Sequence, residues 1–223
     1  MTGLVPAPAR PRRPFRLLPG VMLTGFPRLL GPVAEWLIGM RVRPNAVTLA
    51  SAVAVVGAGV AFGLNQPRLG AVWLLVSGLF DILDGQVARR GGMTSTFGAF
   101  FDSTLDRIGE AILFAGIAIC FQTSAGQAVP ALGVVAALGA LTGSFLVSYT
   151  RARAEGLGID CRVGLAQRAE RYLGLGVPTL LFGTGPHGIL LLVVVGILAV
   201  LSWITAVQRV AHVFHATGGA EPR

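Results

Sequence analysis

In the segment DILDGQVARRGGMTSTFGAFFDSTLD, from Asp81 to Asp106, four aspartates stand in or beside long apolar runs. On a membrane-insertion scale, each carboxylate costs roughly 2.5 to 3.5 kcal/mol at the middle of a bilayer, so four bare ones would cost on the order of 10 kcal/mol. We therefore expect cations to lie among four residues: Asp81, Asp84, Asp102 and Asp106.

The spacing of this segment predicts two helices that face each other. At about 100° per residue, five positions share a helix face within an arc of roughly 140°: Asp81, Asp84, Gly85, Ala88 and Arg89. Three later positions recur every four residues and form a stripe on the next helix: Gly98, Asp102 and Asp106. The Gly-rich, polar residues 90–95 favour a turn, so the four carboxylates should converge from two antiparallel helices.

An all-oxygen cluster with no nearby His or Cys indicates a hard divalent ion, Mg²⁺ or Mn²⁺, rather than zinc. Four carboxylates are more than one Mg²⁺ usually takes, which favours two ions that share ligands. We expect Asp81, Asp84 and Asp102 to be the core ligands. Gly85 and Gly98 leave space on the same faces for a phosphate-bearing ligand.

The spacing Asp81-x2-Asp84-Gly85-x2-Ala88-Arg89-x8-Gly98-x3-Asp102-x3-Asp106 resembles the signature of the CDP-alcohol phosphotransferases, without departure in residue or spacing. The resemblance implies an integral membrane enzyme with six transmembrane helices, a dinuclear Mg²⁺ or Mn²⁺ site and a homodimeric assembly. It implies transfer of the phosphatidyl group of a CDP-linked lipid, CDP-diacylglycerol, to an alcohol with release of CMP.

The resemblance also implies roles for individual residues. Asp106 would be the general base and, with Asp102, would form the catalytic pair; all four aspartates would be metal ligands. The RPNAVTL segment resembles the family's entry to its first span, which adds Asn45 and Thr48 to the expected donor site. The complete set of predicted donor residues is Asn45, Thr48, Asp84, Gly85, Ala88, Arg89 and Gly98. Taken alone, Asn45 is equally a helix cap, and the alternative for Arg89 is an arginine that extends from a helix end towards the membrane surface.

The composition predicts a membrane protein. The chain is 53% hydrophobic, its mean hydropathy is +0.72, and its net charge is +8. All eighteen basic residues are Arg, and because they stand at the ends of apolar runs we expect anionic lipid and phosphorylated substrates as partners, not nucleic acid.

The fold class predicted is all-α, with six transmembrane helices preceded by an amphipathic helix in the membrane interface. The interfacial helix would cover about 21–40, with a kinked span as the alternative. The spans would cover about 46–64, 70–89, 94–122, 129–153, 168–182 and 188–209. Three regions follow: a cytoplasmic tail with the interfacial helix at 1–44, a catalytic transmembrane domain at 45–212 and a cytoplasmic tail at 213–223.

The distribution of Arg predicts the orientation. With the N-terminus in the cytoplasm, sixteen Arg lie on or near the cytoplasmic side, Arg107 lies within the third span, and only Arg68 lies outside. The chain is thus expected to be a multi-pass protein of the cell membrane whose active site and two termini are cytoplasmic.

A second group of residues bears on the acceptor alcohol. Several guanidinium groups directed at one cytoplasmic pocket suit a phosphate dianion, although the positive-inside rule alone would also explain them. The segment SYTRARAEG resembles the phosphatidylinositol-phosphate synthases of actinobacteria and archaea, which implies inositol 1-phosphate as the phosphorylated polyol acceptor. The predicted acceptor-phosphate residues are Ser148, Arg151, Arg153, Arg168, Arg171 and Arg209.

One departure weakens this second resemblance, because Gln167 and Ala169 stand where those enzymes often have Glu and Pro. A phosphatidylglycerophosphate synthase, which uses glycerol 3-phosphate, is the alternative acceptor assignment. A six-span carrier whose buried carboxylates bind a transported cation is the alternative of a different class.

Overall fold

The computed structural model of the chain describes residues 28–161, 163–165 and 168–218, and every regular element in these residues is helical. The all-α prediction is confirmed. The helices are α1 Gly31–Gly39, α2 Pro44–Gly63, α3 Pro67–Arg90, α4 Thr96–Thr123, α5 Pro130–Gly156, α6 Arg168–Phe182 and α7 Ile189–Ala216, with a 3₁₀ turn at Pro186–Gly188 before α7.

Several predicted features lie outside the described residues. They are the N-terminal tail with the first part of the predicted interfacial helix, positions 162, 166 and 167, and the last five residues of the C-terminal tail. Within the described chain, the predicted spans correspond to α2 to α7, and 168–182 coincides with α6.

Proline sets the starts of several helices. Pro44, Pro67 and Pro130 each occupy the first position of their helix, where the missing N–H breaks no hydrogen bond and the fixed φ already suits a helix. The exception beside the acidic segment is α4, whose N-cap Ser95 accepts a hydrogen bond from the Gly98 N–H at 3.0 Å.

Four helical segments of the described chain are long and apolar enough to cross a membrane: Pro44–Gly63, Pro67–Arg90, Pro130–Gly156 and Pro186–Ala216. Helix α4 has 28 residues, but it carries Asp102, Asp106, Arg107 and Glu110 near its start. Helix α6 has only 15 residues. The chain therefore has the character of a membrane protein. Six spans would require α4 and α6 to cross the membrane as well.

Helix α2 lies between the two helices of the acidic segment. Both α3 and α4 pack along α2, α6 packs on α3, and α5 packs on α4 and α7. At the α2–α4 crossing the backbones meet, because a Cβ added at Gly116 would overlap the Gly59 backbone and one added at Gly59 would lie 2.5 Å from the Ile112 carbonyl oxygen. Small residues permit this close approach between helices in a membrane.

Two apolar clusters hold the helices. The larger joins the middle of the bundle around Phe62, Leu74, Ile117 and Phe121. The smaller is at the end of the bundle near the acidic segment, where Ala34 of α1 packs with Val47, Leu83 and Val87. The smaller cluster places α1 beside the last turns of α3.

Candidate active site

The turn after α3 returns the chain towards the aspartates. Gly91 ends the helix, Gly92 adopts a left-handed conformation with φ of 63°, and the Met93 N–H donates to the Ala88 carbonyl at 2.9 Å. Glycine adopts positive φ without the steric cost that a Cβ brings. The turn and the Ser95 cap thus start α4 with its acidic stripe directed towards α3.

Three of the four predicted ligands converge. One carboxylate oxygen from each of Asp81, Asp102 and Asp106 lies within 4.8 Å of the other two, and all three side chains are half-buried. Asp84 lies deeper, beside Thr48 of α2 and close enough to Asp81 and Asp102 for their charges to interact. It is outside the group of three within 4.8 Å.

The donor set fits a hard divalent cation. Asp84 Oδ2 and Asp102 Oδ1 are buried without a hydrogen-bond partner among the described residues. Buried carboxylate oxygens without partners are costly, and a cation coordinated by oxygen removes that cost. The residues present are therefore suited to Mg²⁺ or Mn²⁺.

The predicted donor residues surround this cluster. A Cβ added at Gly98 would lie 3.3 Å from Asn45 Oδ1, which places the Asn45 amide against the first turn of α4. A Cβ added at Gly85 would lie 2.9 Å from Arg89 Nη1, so the Arg89 guanidinium lies over Gly85. Ala88 is half-buried on the same side of α3. Gly85 and Gly98 are thus close in sequence to the aspartates of the cluster, with the Arg89 and Asn45 side chains beside them.

Arg168, at the first residue of α6, reaches into the cluster. Its Nη1 lies 2.9 Å from Asp81 Oδ1 and also contacts Asp106 Oδ1, while its Nη2 donates to the Tyr172 hydroxyl at 3.0 Å. The guanidinium carbon also lies 4.9 Å from the centre of the Tyr172 ring. A residue predicted to bind the acceptor phosphate therefore lies next to two predicted metal ligands.

A buried ion-pair network continues from the cluster into the bundle. Glu110 is fully buried and accepts hydrogen bonds from Ser144 Oγ of α5 and Arg171 Nη2 of α6. Arg107 Nε lies 3.8 Å from Glu110 Oε2, and Arg107 Nη2 lies 3.7 Å from Asp106 Oδ2. Sequence analysis missed Glu110, although it continues the four-residue repeat of the acidic stripe by one turn.

The other predicted acceptor residues lie at the ends of α5 and α7. Arg151 and Arg153 are exposed, and Arg151 Nε pairs with Glu155 at 2.8 Å. Ser148 is half-buried and donates to the Ser144 carbonyl at 3.1 Å.

Arg209 is buried, with its Nε donating to the Val163 carbonyl at 2.9 Å and its Nη1 to the Val147 carbonyl. It thereby ties the loop after α5 to α7. Cys161 is buried in the same loop, and this burial raises the pKa of its thiol, an effect that the charge of Arg209 opposes. The thiol is therefore neutral near pH 7.

The chain resembles known proteins over most of its length. The profile of the CDP-alcohol phosphatidyltransferase family matches residues 41–217. An archaetidylinositol phosphate synthase of Methanothermobacter thermautotrophicus is 35% identical over 187 residues, covering 84% of this chain and 89% of the relative. A phosphatidylinositol phosphate synthase of Mycolicibacterium smegmatis is 38% identical over 202 residues, covering 88% of this chain and 89% of the relative.

Solved structures of the Mycobacterium tuberculosis phosphatidylinositol phosphate synthase share the fold at 35% identity. The structure with CDP-DAG bound has a TM-score of 0.71 and covers 84% of this chain and 94% of that one. The structure in complex with manganese and citrate has a TM-score of 0.72 and covers 82% and 88%. The residues matched by the family profile, 41–217, include the whole acidic segment.

Proposed function

The chain belongs to the CDP-alcohol phosphatidyltransferase family, and on that premise we propose that it transfers the phosphatidyl group of CDP-diacylglycerol to inositol 1-phosphate and releases CMP. It is a phosphatidyltransferase of phospholipid biosynthesis, so the alternative of a cation carrier is set aside. The choice of inositol 1-phosphate is supported by the names of the relatives that span most of the chain.

The observation that carries this proposal is the position of Arg168 beside the three converged aspartates. Phosphoryl transfer depends on charge neutralisation and placement of the two substrates rather than on a covalent protein nucleophile. A guanidinium next to the metal-binding carboxylates places an acceptor that carries its own phosphate against the donor's diphosphate.

A requirement for Mg²⁺ or Mn²⁺ agrees with the acidic cluster and with the manganese bound to the M. tuberculosis relative. We propose that Asp81, Asp84, Asp102 and Asp106 hold two ions between them. When bound, such ions neutralise the charge of the diphosphate and polarise its phosphorus.

The protein's own residues would bind and orient both substrates. Arg89 would pair with the donor's diphosphate, and Asn45 and Thr48 would contact the nucleotide, over the space that Gly85, Ala88 and Gly98 leave open. The acceptor hydroxyl oxygen attacks the phosphorus that carries the diacylglycerol, and the bond from that phosphorus to the oxygen retained by CMP breaks. Asp106 accepts the proton of the hydroxyl group.

We divide the predicted acceptor residues by their accessibility. Ser148, Arg151, Arg153 and Arg168 are exposed or half-buried and would contact the acceptor phosphate. Arg171 and Arg209 are buried against protein groups, and as acceptor residues they would act by shaping the pocket wall.

We also propose that α4 and α6 complete a six-span domain at 45–212, with the acidic cluster and both tails in the cytoplasm. At about 1.5 Å per residue α4 is roughly 42 Å long, and its charged residues face other helices.

Helix α1 would lie in the membrane interface, because Leu29, Val33, Trp36 and Met40 leave an exposed apolar face while Glu35 pairs with Arg90 of α3 at 2.8 Å. A homodimer is proposed from the family resemblance alone.

Purified protein with CDP-diacylglycerol and Mn²⁺ tests the function. Inositol 1-phosphate, glycerol 3-phosphate, serine and inositol are supplied in separate reactions, and CMP and the lipid product are measured. We expect CMP release and a phosphorylated inositol lipid with inositol 1-phosphate alone. Consumption of glycerol 3-phosphate instead would make the chain a phosphatidylglycerophosphate synthase.

A further inference from the structure

Glu110 lies one helical turn beyond Asp106 and is the meeting point of three helices. Its own helix is α4, Ser144 reaches it from α5, and Arg171 reaches it from α6. Glu110 is 0% exposed and Arg171 is 4% exposed, so both charges are removed from solvent.

Such a pair is a poor source of stability. Removing two charges from water costs several kcal/mol per ion, and an apolar pair of similar size is often as stable or more so. Buried ion pairs are best understood where they fix one arrangement among several. For Glu110, the arrangement in question is the position of α6 relative to α4.

The register of two ion pairs links α4 to α6. Arg168 pairs with Asp106, and Arg171, three residues later, pairs with Glu110, four residues later. The two helices therefore run in the same direction with matched turns. Helix α6 packs on α3 and α7. The two ion pairs set its height and rotation relative to α4. The contact at Glu110 is thus positioned to hold Arg168 beside the aspartates.

Charge gives Glu110 a second effect. Arg107 lies between Asp106 and Glu110, at 3.7 Å and 3.8 Å from their carboxylates. Without the negative charge of Glu110, Asp106 would be the carboxylate left in contact with Arg107 among the described residues. A guanidinium that pairs with the Asp106 carboxylate alone would compete with a divalent cation for it and weaken the binding of that cation.

We propose that Glu110 is a positioning residue for the transfer reaction: it shares Arg107 with Asp106, so that Arg107 does not pair with that carboxylate alone, and through Arg171 it sets Arg168 against the metal-binding carboxylates. The inference rests on the proposed function for the identity of the metal site and the acceptor. It assigns no direct contact between Glu110 and substrate.

The test compares Mn²⁺ binding to detergent-purified variants, measured by electron paramagnetic resonance without substrates. Glu110→Gln should raise the dissociation constant for Mn²⁺ at least about fivefold, and Glu110→Gln combined with Arg107→Gln should return it to within about twofold of the wild type. Glu35→Gln is the matched control, because it removes the same charge from another Glu–Arg pair, with Arg90, and should leave the dissociation constant unchanged.

A second readout separates positioning from charge. In the charge-balanced double variant, the KM for the acceptor consumed in the panel should stay raised about fivefold or more, because Arg168 is no longer held in register. If Glu110→Gln lowers the melting temperature and leaves both Mn²⁺ binding and KM unchanged, Glu110 is only structural. If Glu110→Gln does not fold, an unchanged KM in the double variant overturns the inference.

Asp102→Asn in the same binding experiment distinguishes this inference from the proposed function. Loss of Mn²⁺ binding in Asp102→Asn, with none in Glu110→Gln, contradicts the inference about Glu110 alone. Undiminished binding in Asp102→Asn contradicts the metal site and with it the proposed function.

Discussion

At the residue scale, the acidic cluster brings one carboxylate oxygen from each of Asp81, Asp102 and Asp106 within 4.8 Å of the other two. Carboxylates in apolar surroundings are costly unless a cation lies among them. The aspartates therefore make the sharpest predictions for substitution.

We expect Asp102→Asn and Asp106→Asn to lower CMP release at least about 100-fold, since even partners outside the first coordination sphere of a metal contribute 10- to 100-fold. The protein should stay folded, because each change replaces a carboxylate by an amide of the same size. Steady-state CMP release and a melting curve check both statements. Half of the wild-type turnover in either variant would overturn the assignment.

Arg168→Gln is expected to weaken the binding of the acceptor and to strengthen the binding of Mn²⁺. Arg168→Gln should raise the KM for the acceptor about 10- to 100-fold, because a charge-assisted hydrogen bond to phosphate is worth about 1.5–3 kcal/mol. The same change should strengthen Mn²⁺ binding in the absence of substrates, because a cation is removed from Asp81 and Asp106.

Arg68→Gln serves as the control for Arg168→Gln. Arg68 is exposed in the first turn of α3, at the opposite end of that helix from Arg89, so neither KM nor Mn²⁺ binding should change. A raised KM together with unchanged or weaker Mn²⁺ binding in Arg168→Gln would contradict the shared position of Arg168.

Sequence analysis could not have found the pairing of Arg168 with Asp81. The two residues are 87 positions apart, and their contact depends on how α6 packs on α3. Glu110 was within reach, because it continues the stripe of Gly98, Asp102 and Asp106. The family signature does not mark it, because that signature ends at Asp106.

At the element scale, the helix bounds followed from Pro residues and apolar run lengths, both of which act locally. Which helices pack against each other could not be predicted in this way, because helix packing depends on which small residues meet. The crossing of α2 and α4 at Gly59 and Gly116 is an example, since nothing in the sequence pairs these two glycines.

Gly116→Ala should lower the free energy of unfolding by about 1–3 kcal/mol, because the new Cβ would overlap the Gly59 backbone. Gly196→Ala, in the interior of α7, is the matched control: its Cβ would meet no described atom within 4 Å, so it should be neutral or slightly stabilising. Thermal unfolding in detergent compares the two. Equal melting temperatures would show that the α2–α4 crossing is looser than described.

At the scale of the whole molecule, the distribution of Arg predicts the orientation of the bundle, and the acidic cluster opens at the Arg-rich end. We expect Ala125→Cys, after α4, to react with an impermeant maleimide in intact cells. Thr217→Cys, after α7, should react only after the membrane is permeabilised. Both positions are exposed, and the native Cys120 and Cys161 are buried, so background labelling should be low. If Thr217→Cys reacts in intact cells and Ala125→Cys reacts only after permeabilisation, the bundle has the opposite orientation in the membrane.

The central claim is that two membrane helices pool their carboxylates to hold divalent cations at the site of phosphatidyl transfer. The most direct measurement is CMP release from CDP-diacylglycerol by protein stripped with EDTA, titrated with Mn²⁺ or Mg²⁺ beside Asp102→Asn. We predict no release without metal, full recovery of the wild type on addition of either ion, and no recovery of the variant. Undiminished release by the metal-stripped wild type would contradict the claim.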